Sequence, residues 1–469
     1  MRLTRAVRYN ARARAPQSAL RLSTPTELAM SGRWRAIVIG GSMSGLLAAR
    51  ILADHFTDVV LYDRDVFPQS AQFRRGVPQG QHAHALLMSG RQVLDGLFPG
   101  FRDELLSQGA IRGEYPKLRW FDNGVYHNTR FDGLEGLLVS RPCLESHVRA
   151  RLTRLPNLAM KATHDVDSPV FDGTRVSGIR VCSREGAATV DADLVVDASG
   201  RGSQSPIWLD RAGFPRPREE AVRVSLGYST RIYRRSTGHL NGDLAIICPS
   251  APPQRRGGVA LAMEGDRWMV TLFGMLNDHP PTDVAGFNAF AKTLPAPDIN
   301  ELISNAEPLT DPVPFKFPQS TRRHYEALDR FPDGYLVFGD AFCSFNPIYG
   351  QGMSSAAMQA AELQKCLAAG GPQLAPRFFK AAAKVVDAPW TMAVGGDLRY
   401  DEVEGARSGM VKFVNWYIGK LHLAAASDPH VARAFHRVAN LLDPPPALMQ
   451  PSIAFRILQG NLRRSHAPN

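Results

Sequence analysis

The sequence of 469 residues has few cysteines and no long apolar run, and each absence excludes a class of protein. Its five cysteines are odd in number, widely spaced and without a C-x-x-C pair, which argues against a disulfide framework and a zinc site. The nearest approach to a membrane span, residues 36–52, is interrupted by three glycines, two serines and Arg50. We therefore expect a protein of a reducing compartment, the cytoplasm, with no transmembrane span.

Familiar hydrolytic and metal motifs are missing as well. We find no Ser/His/Asp order, no H-E-x-x-H and no paired carboxylate motif. His82 and His84 lie two apart in a polar loop with no further ligands near them in sequence, so a loop contact or a place near a cofactor is the better interpretation than a metal site. The catalytic side chains stay unknown at this stage, and no metal is expected.

Acidic residues are too few to balance the basic ones, and the net charge is +11. Residues 1–30 hold six arginines and a single acid, Glu27, and supply five of these charges. This segment is typical of a disordered or targeting-like basic tail, or of an extension upstream of Met30. The modest excess on the remaining chain suits an anionic cofactor better than a nucleic acid, which we do not expect as a partner.

What is present is the composition of a soluble globular protein, with 44% hydrophobic and 21% charged residues. The apolar run at residues 36–39, the glycine-rich turn after it, a helix and a second strand at 59–62 predict a βαβ unit with buried parallel strands. Similar buried runs recur at 194–196 and 335–338. The rest of the pattern predicts a hairpin at Asn123-Gly124, antiparallel strands over 222–274, proline-rich connections up to 335, and mainly helix after 352.

The first glycine-rich turn has the sequence Gly40-Gly41-Ser42-Met43-Ser44-Gly45, and Asp63 follows 23 residues after Gly40. Small residues between a strand and a helix let the backbone approach a pyrophosphate, and an acid at the end of the second strand binds ribose hydroxyls. Ser42 stands where the dinucleotide fingerprint has its second glycine. Another α/β protein with a tight turn, including a methyltransferase, is an alternative for this turn alone.

Two further turns follow buried strands. Residues 197–203 read Asp-Ala-Ser-Gly-Arg-Gly-Ser, and Gly339-Asp340 precede the stretch 346–353, Asn-Pro-Ile-Tyr-Gly-Gln-Gly-Met, which opens a helix. The amides and the positive dipole end of such a helix suit the part of a flavin ring that becomes anionic. A methyltransferase has no use for this third site.

These three signatures, in this order, resemble the FAD-dependent monooxygenases of the para-hydroxybenzoate hydroxylase type, whose fold squalene epoxidase, geranylgeranyl reductases and flavin halogenases share. The resemblance spans about residues 33 to 460 and is closest to bacterial polyketide and polyether epoxidase-like enzymes. It is carried by residues 40–45, 75–79, 82–84, 141–145, 197–203 and 339–353.

The resemblance implies FAD as the cofactor. By position, the turn at 40–45 would hold the pyrophosphate, Asp63 the adenosine ribose, Arg141 the phosphate region and Asp340 the ribityl chain or pyrophosphate, with 350–353 against the isoalloxazine. The implied cofactor-binding residues are Gly40, Gly41, Ser42, Ser44, Gly45, Asp63, Arg64, Arg75, Arg141, Gly200, Gly339, Asp340, Pro347, Gly350, Gly352 and Met353.

The resemblance also implies a reaction. A reduced flavin adds oxygen to form a hydroperoxide, and the enzyme hydroxylates or epoxidises a largely apolar small molecule, as in secondary metabolism. The expected electron donor is NAD(P)H, directly or through a flavin reductase. The family usually has an acid where this chain has Ser199, and this departure argues against direct use of NADPH. The alternatives are a prenyl reductase, a halogenase, although the Trp-x-Trp-x-Ile-Pro signature is missing, and a non-catalytic flavin-binding protein.

The predicted fold class is α/β, with a Rossmann-type FAD-binding domain like that of glutathione reductase, an inserted antiparallel-sheet substrate domain and a helical C-terminal region. The expected boundaries are 31–115 plus 141–203 plus 330–395 for the FAD-binding domain, 116–140 plus 204–329 for the substrate domain and 396–469 for the helical region.

Overall fold

A computed structural model describes residues 35–465 of the chain. The basic tail predicted at 1–30 lies outside the described residues. The strands are β1 (Arg35–Ile39), β2 (Asp58–Tyr62), β3 (Ile111–Glu114), β4 (Leu118–Asp122), β5 (Val125–Tyr126), β6 (Glu135–Leu138), β7 (Leu158–Lys161), β8 (Asp165–Asp172), β9 (Arg175–Ser183), β10 (Gly186–Asp191), β11 (Leu194–Asp197), β12 (Glu219–Arg234), β13 (Ala245–Cys248), β14 (Arg256–Met263), β15 (Arg267–Gly274), β16 (Val313–Arg323), β17 (Tyr335–Val337) and β18 (Cys343–Ser344).

The α-helices lie between these strands and after them. They are α1 (Met43–Ala53), α2 (Met88–Leu97), α3 (Phe101–Ser107), α4 (Arg141–Leu152), α5 (Ser205–Arg211), α6 (Val284–Ala291), α7 (Asp298–Asn305), α8 (Gly352–Ala368), α9 (Leu374–Asp397), α10 (Gly409–Ala425), α11 (Pro429–Ala439) and α12 (Pro451–Ser465). Within the described residues, no helix is both long enough and apolar enough to cross a bilayer.

A five-stranded parallel sheet has the order β17-β11-β1-β2-β7. Four of its strands confirm the prediction from the buried apolar runs, whereas β7, whose residues alternate between half-buried and exposed, was not among them. In the middle strand, Ile37 pairs with Val195 of β11 on one side and with Val60 of β2 on the other. Helix α1 packs on β1 and β2 and also on α8. Because the strands are parallel, the turns that follow β1, β11 and β17 all lie at one edge of the sheet.

A second, eight-stranded sheet has the order β18-β16-β12-β15-β14-β13-β4-β5. Its pairs are antiparallel except for β13 with β4, and the predicted hairpin at Asn123-Gly124 joins β4 to β5 with positive φ at both turn residues. On β15, Trp268, Val270 and Leu272 are fully buried in a core that α6 and α7 cover. On the opposite face, Arg201 of the second glycine-rich turn lies over the rings of Phe315 and Phe317.

Strand β16 contradicts the expectation of proline-rich connections between 274 and 335. Val313, Phe315 and Phe317 alternate as in a strand, but Pro314 and Pro318 lie within the same run, and prolines in a run argue against a strand. The short β18 pairs only with Thr321 and Arg322, so the earlier residues of β16 form an edge of the sheet. A proline, which has no N–H to donate, is tolerated at such an edge.

The C-terminal part is helical, as predicted. Helices α10, α11 and α12 pack together around a small core of their own. All five strands of the parallel sheet come from the segments predicted for the FAD-binding domain, and the domain boundaries themselves stay a prediction.

Candidate functional site

Three glycine-containing turns meet at the carboxyl edge of the parallel sheet. A Cβ added at Gly40 would lie 2.7 Å from the carbonyl oxygen of Ala198 in the second turn, and one at Gly339 in the third turn would collide with the Ser44 hydroxyl. Gly40 has φ +99° and Gly339 has φ +67°, which other residues rarely adopt. The structure therefore brings the three predicted turns into direct contact.

Helix α1 begins at the first turn without a side-chain cap from its own N-terminal residue. The hydroxyl of Ser42 instead donates to Glu145 Oε1 at 3.1 Å and accepts from Arg141 Nη2 at 2.9 Å. The first amides of the helix and the positive end of its dipole are thus available for an anion, with a guanidinium beside them.

Asp63 holds the loop after β2 against the first turn. Its Oδ2 accepts from the Gly41 amide at 2.6 Å and from Arg74 Nη1 at 3.2 Å, and Arg74 Nη2 donates to the Gly41 carbonyl at 2.7 Å. Among the residues named from the sequence, Arg64 and Arg75 are exposed, whereas Arg74 is buried. The contact with the turn therefore comes from the neighbour of the predicted arginine.

A buried charge cluster on α4 fixes Arg141. Arg141 Nε donates to Glu145 Oε1 at 2.7 Å, and the second carboxylate oxygen of Glu145 lies 3.7 Å from Arg74 and 3.8 Å from Arg149. Burial alone would raise the pKa of Glu145, but the charges of Arg141 and Arg74 hold it below its ordinary value. Sequence reasoning did not assign Glu145 or Arg149 a role, although their spacing of four residues on one helix face is a signal for such a cluster.

The second turn is held by Asp197 and the third carries Asp340. Asp197 is fully buried, accepts from the Ser199 amide at 2.9 Å and contacts the Ser203 and Ser205 hydroxyls. Asp340 is half-buried in the groove between the turns. Burial raises its pKa, and the nearby charges of Arg141 and Arg201 oppose that rise. Asp340 and Arg141 therefore face the same groove.

The stretch before α8 is tied to the end of α9. Asp397 Oδ1 accepts from Asn346 Nδ2 at 2.7 Å and from the Tyr349 hydroxyl at 3.1 Å. Burial raises the pKa of Asp397 to about 7. Sequence reasoning missed this residue, because it lies on a different helix 51 positions from Asn346 and belongs to no local motif. Pro347 and Gly350, which has φ +67°, shape the turn, and Gly352 and Met353 open α8.

A group of aromatic side chains on the large sheet, here called the aromatic wall, packs against His82. The ring of His82 packs at 5.7 Å from Tyr228 and at 5.3 Å from Phe315. Ala85, which lies further along the same loop, would touch a Cβ added at Gly350. The loop that carries His82 thus connects the aromatic face of the large sheet to the N-terminus of α8.

The hydrogen bonds of His82 run inward through two buried threonines. Its Nδ1 lies 2.7 Å from Thr230 Oγ1, which lies 2.6 Å from Thr271 Oγ1, and Thr271 accepts from the Ala83 amide at 2.9 Å. Burial lowers the pKa of His82 to about 4, so the ring is neutral at physiological pH. Within residues 35–465, Nε2 of His82 is buried and has no partner.

The groove between the turns fits an extended dinucleotide cofactor with a flavin. The N-cap residues of α1 and α8 are Ser42 and Gln351, and neither of these two described side chains caps its helix. Both helices therefore leave amides for a ligand. Gln351, at the start of α8, is buried with its Oε1 unpartnered in the described part of the chain. A Cβ at Gly200 would meet no atom within 4 Å, so the second turn also faces open space.

Comparisons with known proteins point to the same cofactor. The family described as FAD binding domain matches residues 33–371. Protein Rv3254 of Mycobacterium tuberculosis is 33% identical over 454 residues, which cover 91% of this chain and 94% of that protein. Kynurenine 3-monooxygenase of Salinispora tropica is 26% identical over 374 residues, which cover 72% of this chain and 73% of that enzyme.

A solved structure, that of the flavin-dependent brominase Bmp2, superposes with a TM-score of 0.63 at 15% identity and covers 92% of this chain and 99% of its own. At this identity the likeness shows the fold alone.

Proposed function

This chain belongs to the FAD binding domain family and is an FAD-dependent oxidoreductase of the monooxygenase superfamily, and we propose that it inserts one oxygen atom from O2 into a largely apolar small molecule, by hydroxylation or epoxidation. The observation that carries this proposal is the aromatic wall beside the N-terminus of α8. Tyr228 and Phe315 offer an apolar surface to a substrate, and the buried His82 offers a single polar contact.

We assign FAD to the groove between the three turns. The amides of residues 40–45, with Arg141, would hold the pyrophosphate, Asp63 the adenosine ribose and Asp340 the ribityl chain, and residues 350–353 would face the ring system. When bound and reduced, FAD supplies the activation of O2. The task of the chain is to orient the cofactor and to exclude water from the space between α8 and the aromatic wall.

We also assign His82 as a hydrogen-bond donor to the substrate. Thr271 accepts from the Ala83 amide, and we propose the order in which the Thr271 hydroxyl donates to Thr230 and the Thr230 hydroxyl donates to Nδ1 of His82. This order leaves the ring proton of neutral His82 on Nε2, the atom without a protein partner. An oxygen substituent on the substrate, such as a hydroxyl or carbonyl, would accept that proton and so be held in a fixed orientation.

NAD(P)H supplies the electrons in this proposal, either directly or through a flavin reductase. The family usually has an acid where this chain has Ser199, and this departure argues against direct reduction by NADPH. We place the reaction in the cytoplasm, where NAD(P)H is available and where the five cysteines, all free in the structure, stay reduced.

The test is single-turnover oxidation under isotopically labelled O2. The FAD-loaded protein is reduced with NADPH, or with NADH and a flavin reductase, and is mixed with a set of apolar phenols and alkenes. Transfer of one labelled oxygen atom to a product, seen by mass spectrometry, supports the proposal. Addition of hydrogen without label would indicate a reductase, halide incorporation a halogenase, and no product with any donor a flavin-binding protein.

His82→Phe tests the substrate contact, because it keeps a ring in the aromatic wall but removes the donor. We expect kcat/KM to fall by about tenfold to a hundredfold with the FAD content unchanged. Thr230→Val, which removes only the group that fixes the ring proton, should cause a smaller loss in the same direction. Wild-type kinetics in His82→Phe would remove His82 from the site.

A further inference from the structure

The C-terminal helices expose an unusual amount of apolar surface. Seven of the twelve exposed large hydrophobic side chains in the described residues lie between 410 and 462. Six of them are on α10 and α12, namely Met410, Phe413, Trp416, Phe455, Leu458 and Leu462. Trp416 and Phe455 are each 59% exposed. A concentration of this kind marks an interaction surface on a soluble protein.

The two helices form an antiparallel pair, and the exposed side chains are not the ones that hold the pair together. Asn461, late in α12, donates from Nδ2 to the carbonyl of Lys420 within α10. Arg456, earlier in α12, pairs with Asp428, which follows the C-terminal end of α10. The buried contacts come from other positions, among them Leu421, Ala424 and Ile457. The spacing of 410, 413 and 416, and of 455, 458 and 462, places each exposed set along one stripe of its helix.

The charges on these helices have one sign. Lys412 and Lys420 on α10 and Arg456, Arg463 and Arg464 on α12 are accompanied by no aspartate or glutamate on either helix. Within the part of the chain that the structure describes, only Arg456 of these five forms an ion pair, with Asp428. Aromatic and aliphatic stripes flanked by basic residues are the pattern of helices that lie in the interface of an anionic bilayer.

Arg464 donates to the Leu423 carbonyl and Arg456 pairs with Asp428, so these two arginines tie α12 to its neighbours. We propose that the six exposed apolar residues together with Lys412, Lys420 and Arg463, here called the α10–α12 face, dock on an anionic lipid surface. This goes beyond the proposed reaction and does not depend on it. A second copy of the chain is the less favourable occupant, because a symmetric contact would bring two sets of like charges together. The stripes insert apolar side chains at the headgroup boundary, while the three basic residues contact the lipid phosphates.

The experiment is flotation of the FAD-loaded full chain with vesicles of phosphatidylcholine alone or with about 30% phosphatidylglycerol. We expect the protein to float with the anionic vesicles only, and about 0.5 M salt to weaken binding. Trp416→Ser combined with Leu458→Ser should weaken it by at least about tenfold, and so should the triple variant Lys412→Gln, Lys420→Gln and Arg463→Gln. The charge variant changes only exposed or half-exposed side chains and therefore serves if the apolar variant fails to fold.

Matched controls lie elsewhere on the surface. Val284→Ser on α6 and the pair Arg180→Gln and Arg184→Gln at β9 and its turn remove exposed groups of the same kind and should leave flotation unchanged. The proposal is overturned if the wild type does not float with anionic vesicles, or if the controls weaken binding as much as the test variants. It is also overturned if the wild type does not bind vesicles and light scattering shows a dimer that Trp416→Ser dissociates. That result would assign the face to a second copy of the chain.

Discussion

At the scale of single residues, Gly339 shows how tightly the site is built. Its φ of +67° and the collision that a side chain would make with Ser44 both require glycine. We expect Gly339→Ala to lower the free energy of unfolding by about 1–3 kcal/mol and to reduce FAD content, since the third turn must move away from α1. Chemical denaturation and the flavin-to-protein absorbance ratio measure the two effects.

Gly96 provides the matched control for this substitution. It is exposed on α2, and a Cβ there would meet no atom within 4 Å. Gly96→Ala should therefore stabilise the protein by about 0.5–1 kcal/mol through helix propensity, with unchanged flavin content. Equal stability of Gly339→Ala and the wild type would contradict the crowding of the third turn against α1.

Asp340 is the second residue that tests the groove. If it binds hydroxyls of the cofactor, Asp340→Ala should purify with most of its FAD missing and should bind added FAD at least about tenfold more weakly. Isothermal titration of the apoprotein with FAD measures the change. Asp329→Ala, an exposed carboxylate in the connection before β17, is the control and should keep full occupancy. Full FAD occupancy in Asp340→Ala would count against the assigned site.

At the scale of elements, the sequence predicted the parts that repeat a local rule. Four of the five parallel strands contain uninterrupted apolar runs such as residues 36–39, and the turn at Asn123-Gly124 is a strong local signal, so the structure confirms both. Strand β16 was missed because its prolines are tolerated only at an edge, and edge position depends on the length of β18. A local pattern does not contain that information.

The candidate site divides in the same way. The three turns were predicted because glycines between a strand and a helix are a local requirement, and the structure brings them together. Gln351 belongs to one of the quoted motifs, but its burial without a partner is visible only in three dimensions. The bond from Asn346 to Asp397 joins residues 51 positions apart, and the bonds from His82 to Thr230 and from Thr230 to Thr271 join residues 148 and 41 positions apart. A short sequence window does not contain both members of any of these pairs.

Asp397 links two elements, α9 and the turn before α8, and this link should depend on pH. Its pKa is about 7 in the folded protein, raised by burial from an ordinary value near 3.8, so the protonated form is favoured by folding. The stability it provides is complete below about pH 4 and is lost as the pH rises through about 7. Asp397→Asn keeps an acceptor for Asn346 and Tyr349 without the charge. The free energy of unfolding of Asp397→Asn minus that of the wild type should therefore increase from pH 4 to pH 8.

The control for this effect is Asp401→Asn, an exposed carboxylate four residues beyond Asp397. Its difference from wild type should change little over the same pH range, because the Asp401 side chain is in solvent. A constant difference between Asp397→Asn and wild type from pH 4 to 8 would show that Asp397 does not titrate in this range.

At the scale of the whole molecule, a buried histidine cluster joins the large sheet to the C-terminal helices. His127, which follows β5, lies 3.0 Å from His422 of α10 and 3.3 Å from His436 of α11, measured between ring nitrogens. All three are buried and surrounded by aromatic rings, including Trp120 and Phe435. The charged groups that face them are Asp122 of β4 and Arg399, after α9.

This cluster should make the docking of the helices sensitive to acid. Burial lowers the pKa of His127 and of His422 to about 3, from an ordinary value of 6.5, and that of His436 falls in the same direction. The unfolded chain therefore binds protons that the folded chain does not. The stability contributed by the cluster is complete above about pH 6.5 and declines as the pH falls toward 3.

His127→Gln should give a shallower loss of unfolding free energy from pH 7 to 4.5, measured by urea denaturation. His430→Gln, an exposed histidine on α11, should follow the wild type. Parallel curves for His127→Gln and wild type would mean that the histidines do not couple the helices to the sheet through their protonation.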